Sequence, residues 1–295
     1  MIEKSKIRLL SAFQLGRLVE ELASINRKKA ALNCLTEEQH QIKEENLFSK
    51  SIDEIEFSKA SISTLVERNR KLLPPLLTHY LSKLEKSEES GLGNMDYEQL
   101  TLLHSAITGV IEESMPQGTT WHCLQAGRLV QRAMILMITI VDGLEDEHMP
   151  SDTLLKYLAF RADCAFCDFK GGTHLWIVHQ VFMNLLKTSS NPKSAESTLS
   201  RLETHIAALP VPETQKKDHE QVSMTLTRIS NDLAFVDIHE MIGDDPEDHF
   251  SNIVTFFQRQ RGEMEKLIAL IKAYLTSFES YLRNLSEDEF FEFDP

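Results

Sequence analysis

Four cysteines in 295 residues are too few for a disulfide framework, so free thiols in a reducing cytoplasm are expected. Long apolar runs are missing too. The longest, residues 133–141, includes Thr139 and spans nine residues, whereas a transmembrane helix needs roughly twenty, so no membrane span is expected. The opening Met1-Ile2-Glu3-Lys4-Ser5-Lys6 is charged and mixed, without the apolar core of a secretory signal. Positive charge is scarce: 31 Lys and Arg against 45 Asp and Glu give a net charge of −14, which argues against nucleic acid as a ligand. The richest basic runs, Arg27-Lys28-Lys29 and Arg68 to Lys71, lie beside acidic residues, as solvated helix faces do. Compact enzyme signatures are absent: there is no G-x-S-x-G, no G-x-x-x-x-G-K-[ST], no H-E-x-x-H and no G-x-G-x-x-G.

What is present is helical periodicity. Apolar residues recur at steps of three and four, as in Leu15, Leu18, Val19 and Leu22, or Leu100, Leu103, Ile107 and Val110, and period-two alternation is almost absent. Thr36 with Gln39 and Ser51 with Glu54 have capping-box spacing, and Pro74-Pro75, Pro116-Gln117-Gly118, Gly171-Gly172 and Pro210-Val211-Pro212 punctuate the periodic segments. The pattern predicts an all-α bundle with helices near 6–31, 37–49, 52–72, 76–86, 96–114, 120–141, 152–168, 174–187, 197–208, 214–242 and 248–285. The helix at 120–141 reads as apolar all round and therefore central. The last helix carries a seam of Val254, Phe257, Met264, Leu267, Ile271, Tyr274, Phe278, Tyr281 and Leu285, to be packed on its own bundle or on a partner.

By composition the chain divides into an N-terminal helical region, 1–90, a main bundle, 94–285, and an acidic tail, 286–295, with the first two readable as one continuous domain. One internal similarity stands out. Gln14-Leu15-Gly16-Arg17-Leu18-Val19 resembles Gln125-Ala126-Gly127-Arg128-Leu129-Val130 at an offset of 111 residues. Six aligned positions, five of them identical, arise easily by chance on two amphipathic helices and the flanks do not match, so the sequence favours coincidence over duplication.

Two constellations suggest metal. Cys164 and Cys167, followed by Gly171-Gly172, His174 and His179, have C-x2-C-x6-H-x4-H spacing, which can ligate one tetrahedral zinc ion. Both histidines can reach the ion only if a helix starts after His174, because five residues turn a helix well away from one face. The competing reading makes the cysteines small core residues and His174 a helix-capping group. The second constellation is acidic: Asp142 and Asp146 end the central helix, and Asn231 and Glu240 lie far downstream. Facing carboxylates across a bundle hold magnesium against a diphosphate, because hard cations take oxygen ligands.

The segment Tyr157-Leu158-Ala159-Phe160-Arg161 resembles the helix that carries the diphosphate-sensing arginine in class I terpenoid synthases. Ser230-Asn231-Asp232-Leu233 through Glu240, with Asn252 and Arg259-Gln260-Arg261, resembles the second metal motif of that family, although Phe235 and His239 stand where the motif has a hydroxyl residue and a glutamate. The resemblance implies a magnesium-dependent enzyme acting on a prenyl diphosphate, with Arg161, Asn231 and Glu240 at its centre. His104, His122, His205, His219 and His239 are scattered over several helices, where one could serve as an axial haem ligand, although a helical histidine more often has a structural hydrogen-bonding role. Since nothing assembles nucleophile, base and oxyanion site at recognisable spacing, the favoured expectation is a binding or scaffolding protein. It would contact a protein partner, or a second copy of itself, through residues 253–285.

Overall fold

The computed structural model describes residues 8–38, 62–89, 97–145, 155–159, 174–187, 191–242 and 250–284. Among them there is no strand. The helices are α1 (Leu9–Glu38), α2 (Ile62–Asn69), α3 (Pro75–Glu89), α4 (Tyr97–Ser114), α5 (Thr119–Leu144), α6 (His174–Leu186), α7 (Ala195–Ala207), α8 (Lys216–Phe235), α9 (Ile238–Ile242) and α10 (Ser251–Asn284), with a 3-10 turn at Glu213–Gln215. Residues 155–159 are also helical. The predicted helix at 37–49 and the acidic tail lie almost wholly outside the described residues.

Local chemistry accounts for several boundaries. Pro75 opens α3, where a missing N–H costs nothing because the first turn has no acceptor for it. Ser194 caps α7, its side chain accepting from the Ser197 N–H. Thr36 lies inside α1, so the capping box read there does not start a new helix. The single helix predicted over 214–242 is broken: Val236 is extended, at φ −61° and ψ 127°. Asp237 Oδ1 then accepts the backbone N–H groups of His239 at 2.9 Å and Glu240 at 3.2 Å. An aspartate that satisfies two orphan donors begins a new helix, α9, and the hydrophobic period runs through this break without showing it.

At the centre lies α5, packed by α1, α7 and α10, while α8 packs on α7 and α10. Ala133, Met134, Met137, Ile140 and Val141 are all buried. By length and composition α5 is the one described helix that could cross a membrane, and its most apolar window is 83% buried inside the bundle, where a core helix belongs. It is not apolar all round, however. Gln125, Arg128 and Gln131 are buried on it as deeply as its leucines.

The seam of α10 is internal. Ile253, Phe257, Met264, Leu267, Ile271, Tyr274 and Phe278 are buried against the chain's own helices, and the Tyr274 hydroxyl donates to the Pro210 carbonyl at 2.8 Å. Val254 and Tyr281 are half-buried, and Leu285 lies outside the described residues. That apolar face is taken up by the bundle, while residues such as Thr255, Gln258 and Arg259 of the same helix are exposed. The α1–α5 contact is the most extensive helix pair among the described residues.

Candidate functional site

The polar residues of α5 are held by α1, and two glycines bring the helices together. A Cβ added to Gly16 would fall 2.0 Å from the Leu124 carbonyl oxygen, and one added to Gly127 would fall 2.0 Å from the Phe13 carbonyl oxygen. Only a residue without Cβ fits either place. The two contacts are images of one another under the 111-residue offset, since Gly16 maps onto Gly127 and Phe13 onto Leu124. Positions 13–16 face 124–127 and positions 20–21 face 131–132, so the two helices run in the same direction.

The pairing continues in the side chains. Gln131 Nε2 donates to Glu21 Oε2 at 2.6 Å, and its image is the Glu20–Arg132 pair, in which Arg132 Nε and a terminal nitrogen donate to the two Glu20 oxygens at 3.0 and 2.8 Å. Such reciprocity is what a two-fold interface produces. The similarity that sequence reasoning assigned to chance therefore marks two helices that pack as pseudo-symmetric partners.

Around that interface lies an ionic network. Arg17 Nε donates to Gln131 at 2.8 Å, and Arg27 donates to Glu20 at 2.9 Å. Arg128, 4% exposed, donates to Gln125 at 3.2 Å, to Thr108 of α4 at 3.2 Å and to Glu112 at 3.4 Å. Arg201 of α7 approaches Glu112 at 3.9 Å. Burial pushes the Glu20 carboxyl up, but the charge and hydrogen bonds of Arg132, helped by Arg27, outweigh it and hold the group well below the usual carboxylate range. Lys193, just before α7, is pushed down to about 8, first by burial and then by Arg27 and Arg132. His104 is pushed down to about 4, chiefly by burial, and so is neutral near pH 7. No run of basic residues along the chain displays this cluster, because its members come from α1, α5 and α7.

Of the metal and catalytic candidates singled out by the sequence, those that the structure describes lie elsewhere. Cys164 and Cys167 lie outside the described residues, as do Asp146 and Arg161. His174 begins α6, and the ring of His179 stacks on His239 at 4.0 Å. Asp142 is exposed near the end of α5 and Asn231 is exposed on α8. Glu240 lines an open cleft of about 420 Å³ with Asp237, Met241, Asn252, Phe256 and Arg259, which neither Asp142 nor Asn231 joins. Among the described residues no three His, Cys, Asp or Glu side chains gather as a metal site. Of the histidines considered for haem, His122 and His205 approach each other Nδ1 to Nδ1 at 3.0 Å, and His219 Nε2 meets the Ile206 carbonyl at 3.1 Å.

Comparison with known proteins agrees with the helical architecture. A search of curated proteins gives no match, and neither does a search of solved structures. The Alpha-E family, described as a predicted alpha-helical domain with a conserved ER motif, matches residues 70–288. Within those residues this chain has no adjacent Glu-Arg, and its single such dipeptide, Glu67-Arg68, lies exposed just before them. A glutamate and an arginine nevertheless meet in the core, Glu20 with Arg132. With three quarters of its length matched, the chain belongs to the Alpha-E family of helical domains.

Proposed function

We propose that this chain is a helical binding protein acting through protein–protein contacts, and that its contact surface is the end of the bundle where α8, α9 and α10 meet. The observation that carries this reading is Phe235. Its side chain is 83% exposed at the last position of α8, immediately before Val236 and Asp237, which line the 420 Å³ cleft. Met224, three turns earlier on the same face of α8, is 73% exposed. Exposed aromatic and methionine side chains beside a concave surface are what interface cores are made of.

The cleft has apolar walls from Val236, Met241 and Phe256, and it also carries the carboxylates of Asp237 and Glu240. In a chain of net charge −14, two carboxylates against the single guanidinium of Arg259 suit a polypeptide presenting an apolar anchor flanked by basic residues. The test is site-specific photo-cross-linking from a benzoylphenylalanine placed at position 235 of the full chain in its native cells. A discrete adduct with a basic-flanked polypeptide, lost when Met224→Asp is added, is expected. An adduct pattern no different from that of the same probe at Arg283, on the exposed end of α10, would overturn the reading.

A further inference from the structure

Where α1, α4, α5 and α7 meet, buried and half-buried guanidinium groups outnumber the carboxylates set against them among the described residues. Arg17, Arg27, Arg128, Arg132 and Arg201 are set against Glu20, Glu21 and Glu112. The excess of two positive charges arises in a protein whose net charge is −14, so it does not follow from composition. Uncompensated charge away from water is costly, and folded proteins offset it with a counter-charge. Hydrogen bonding is incomplete at the same place. The terminal nitrogens of Arg128 are engaged, but its buried Nε–H has no acceptor, and buried His104 Nδ1 has no partner. His104 lies one helical turn from Thr108, which Arg128 holds, so both unpartnered nitrogens belong to one cluster. The side chains of Arg27 and Arg201 are 21% and 41% exposed, so the rim of the cluster reaches solvent.

We propose that this junction binds a phosphoryl oxyanion, either inorganic phosphate or the phosphate group of a small monoester, with the Arg128 Nε–H donating to it and the surplus guanidinium charge neutralising it. A buried water would satisfy the orphan N–H but not the charge. A dianion with several acceptor oxygens answers both, and planar guanidinium groups suit its geometry. The site is separate from the protein-contact surface and does not depend on it.

Isothermal titration of the full chain with inorganic phosphate, and separately with glycerol phosphate, against sodium chloride of matched ionic strength tests this. Saturable one-to-one binding of at least one of the two is expected. Phosphate alone identifies a site for the free ion, and tighter ester binding identifies a group on a larger molecule. Arg128→Lys keeps the charge but removes the Nε–H, and should weaken binding about tenfold or more, as loss of a charge-assisted hydrogen bond does. Arg70→Gln, on the exposed surface, should leave binding unchanged. No saturable binding of either probe beyond that of chloride, or equal affinity in Arg128→Lys, would overturn the proposal. Should that variant not fold, the Arg128 Nε–H resonance of the 15N-arginine-labelled wild type decides: it shifts on phosphate addition if the site exists and stays fixed if it does not.

Discussion

Gly16 and Gly127 face each other across α1 and α5, and each is set against the carbonyl three residues before the other. A methyl group at either position meets backbone, which cannot swing aside as a flexible side chain can. Gly16→Ala and Gly127→Ala should each destabilise the fold by about 1–3 kcal/mol or more, the range for forced overpacking. Gly109→Ala is the contrast: its Cβ meets nothing within 4 Å on exposed α4, and helix propensity predicts a gain of about 0.5–1 kcal/mol. Urea unfolding of the three variants measures the difference in sign.

Removing the buried Glu20 carboxylate leaves half-buried Arg132 and Arg27 without their partner. Glu20→Gln should cost about 3–5 kcal/mol, the usual penalty for breaking a buried pair on one side. The pH dependence follows from the same contacts. The folded pKa lies below the ordinary 4.5, so the contribution is present above that pH and declines as pH falls below it. Stability curves below pH 4.5 should be steeper for the wild type than for the variant.

Histidines control the window just above. His205 is pushed from 6.5 down to about 4, first by burial and then by His122 and Arg201. The unfolded chain therefore takes up this proton first, and stability is lost as pH falls from 6.5 toward 4. In His205→Gln the slope of unfolding free energy between those values should be shallower. An unchanged slope would mean that His205 titrates normally in the fold.

Ile271 has no exposed surface and sits in the middle of the α10 seam. Ile271→Asp buries a carboxylate among apolar neighbours and should cost on the order of 4 kcal/mol or more. Because the seam faces the chain's own helices, the variant should lose its melting temperature without first passing through a folded, dissociated subunit. Sedimentation velocity alongside circular dichroism distinguishes the two outcomes.

The helices and the seam are legible in the sequence because burial on one side of a helix imposes a period that Leu267, Ile271, Tyr274 and Phe278 display without reference to anything distant. The break at Val236 is not legible, since it is set by one aspartate side chain while the apolar period continues into Ile238. The arginine network is still less so. Arg128 and Arg132 do not stand out in a helix that reads as apolar all round, because their partners Glu20 and Glu112 come from other helices, and nothing along the chain says that these charges are buried. The Gly-Arg similarity at offset 111 is the one visible trace of the site. Its meaning lies in the contact between the two copies, which a comparison of six letters does not contain.

The matched family segment begins at residue 70, yet the buried arginines of α5 depend on Glu20 of α1. The matched segment thus leaves out a residue that the core of the bundle relies on. During synthesis at about 5–20 residues per second, α1 leaves the ribosome roughly 5–20 s before α5 can meet it. Through that interval its packing face carries Glu20 and Glu21 beside Phe13 and Leu15, so the helix waits with charge on the surface it will bury. The interface that closes the bundle over a long stretch of chain carries ion pairs beside its apolar contacts, and charge on the early half disfavours its self-association before the late half arrives.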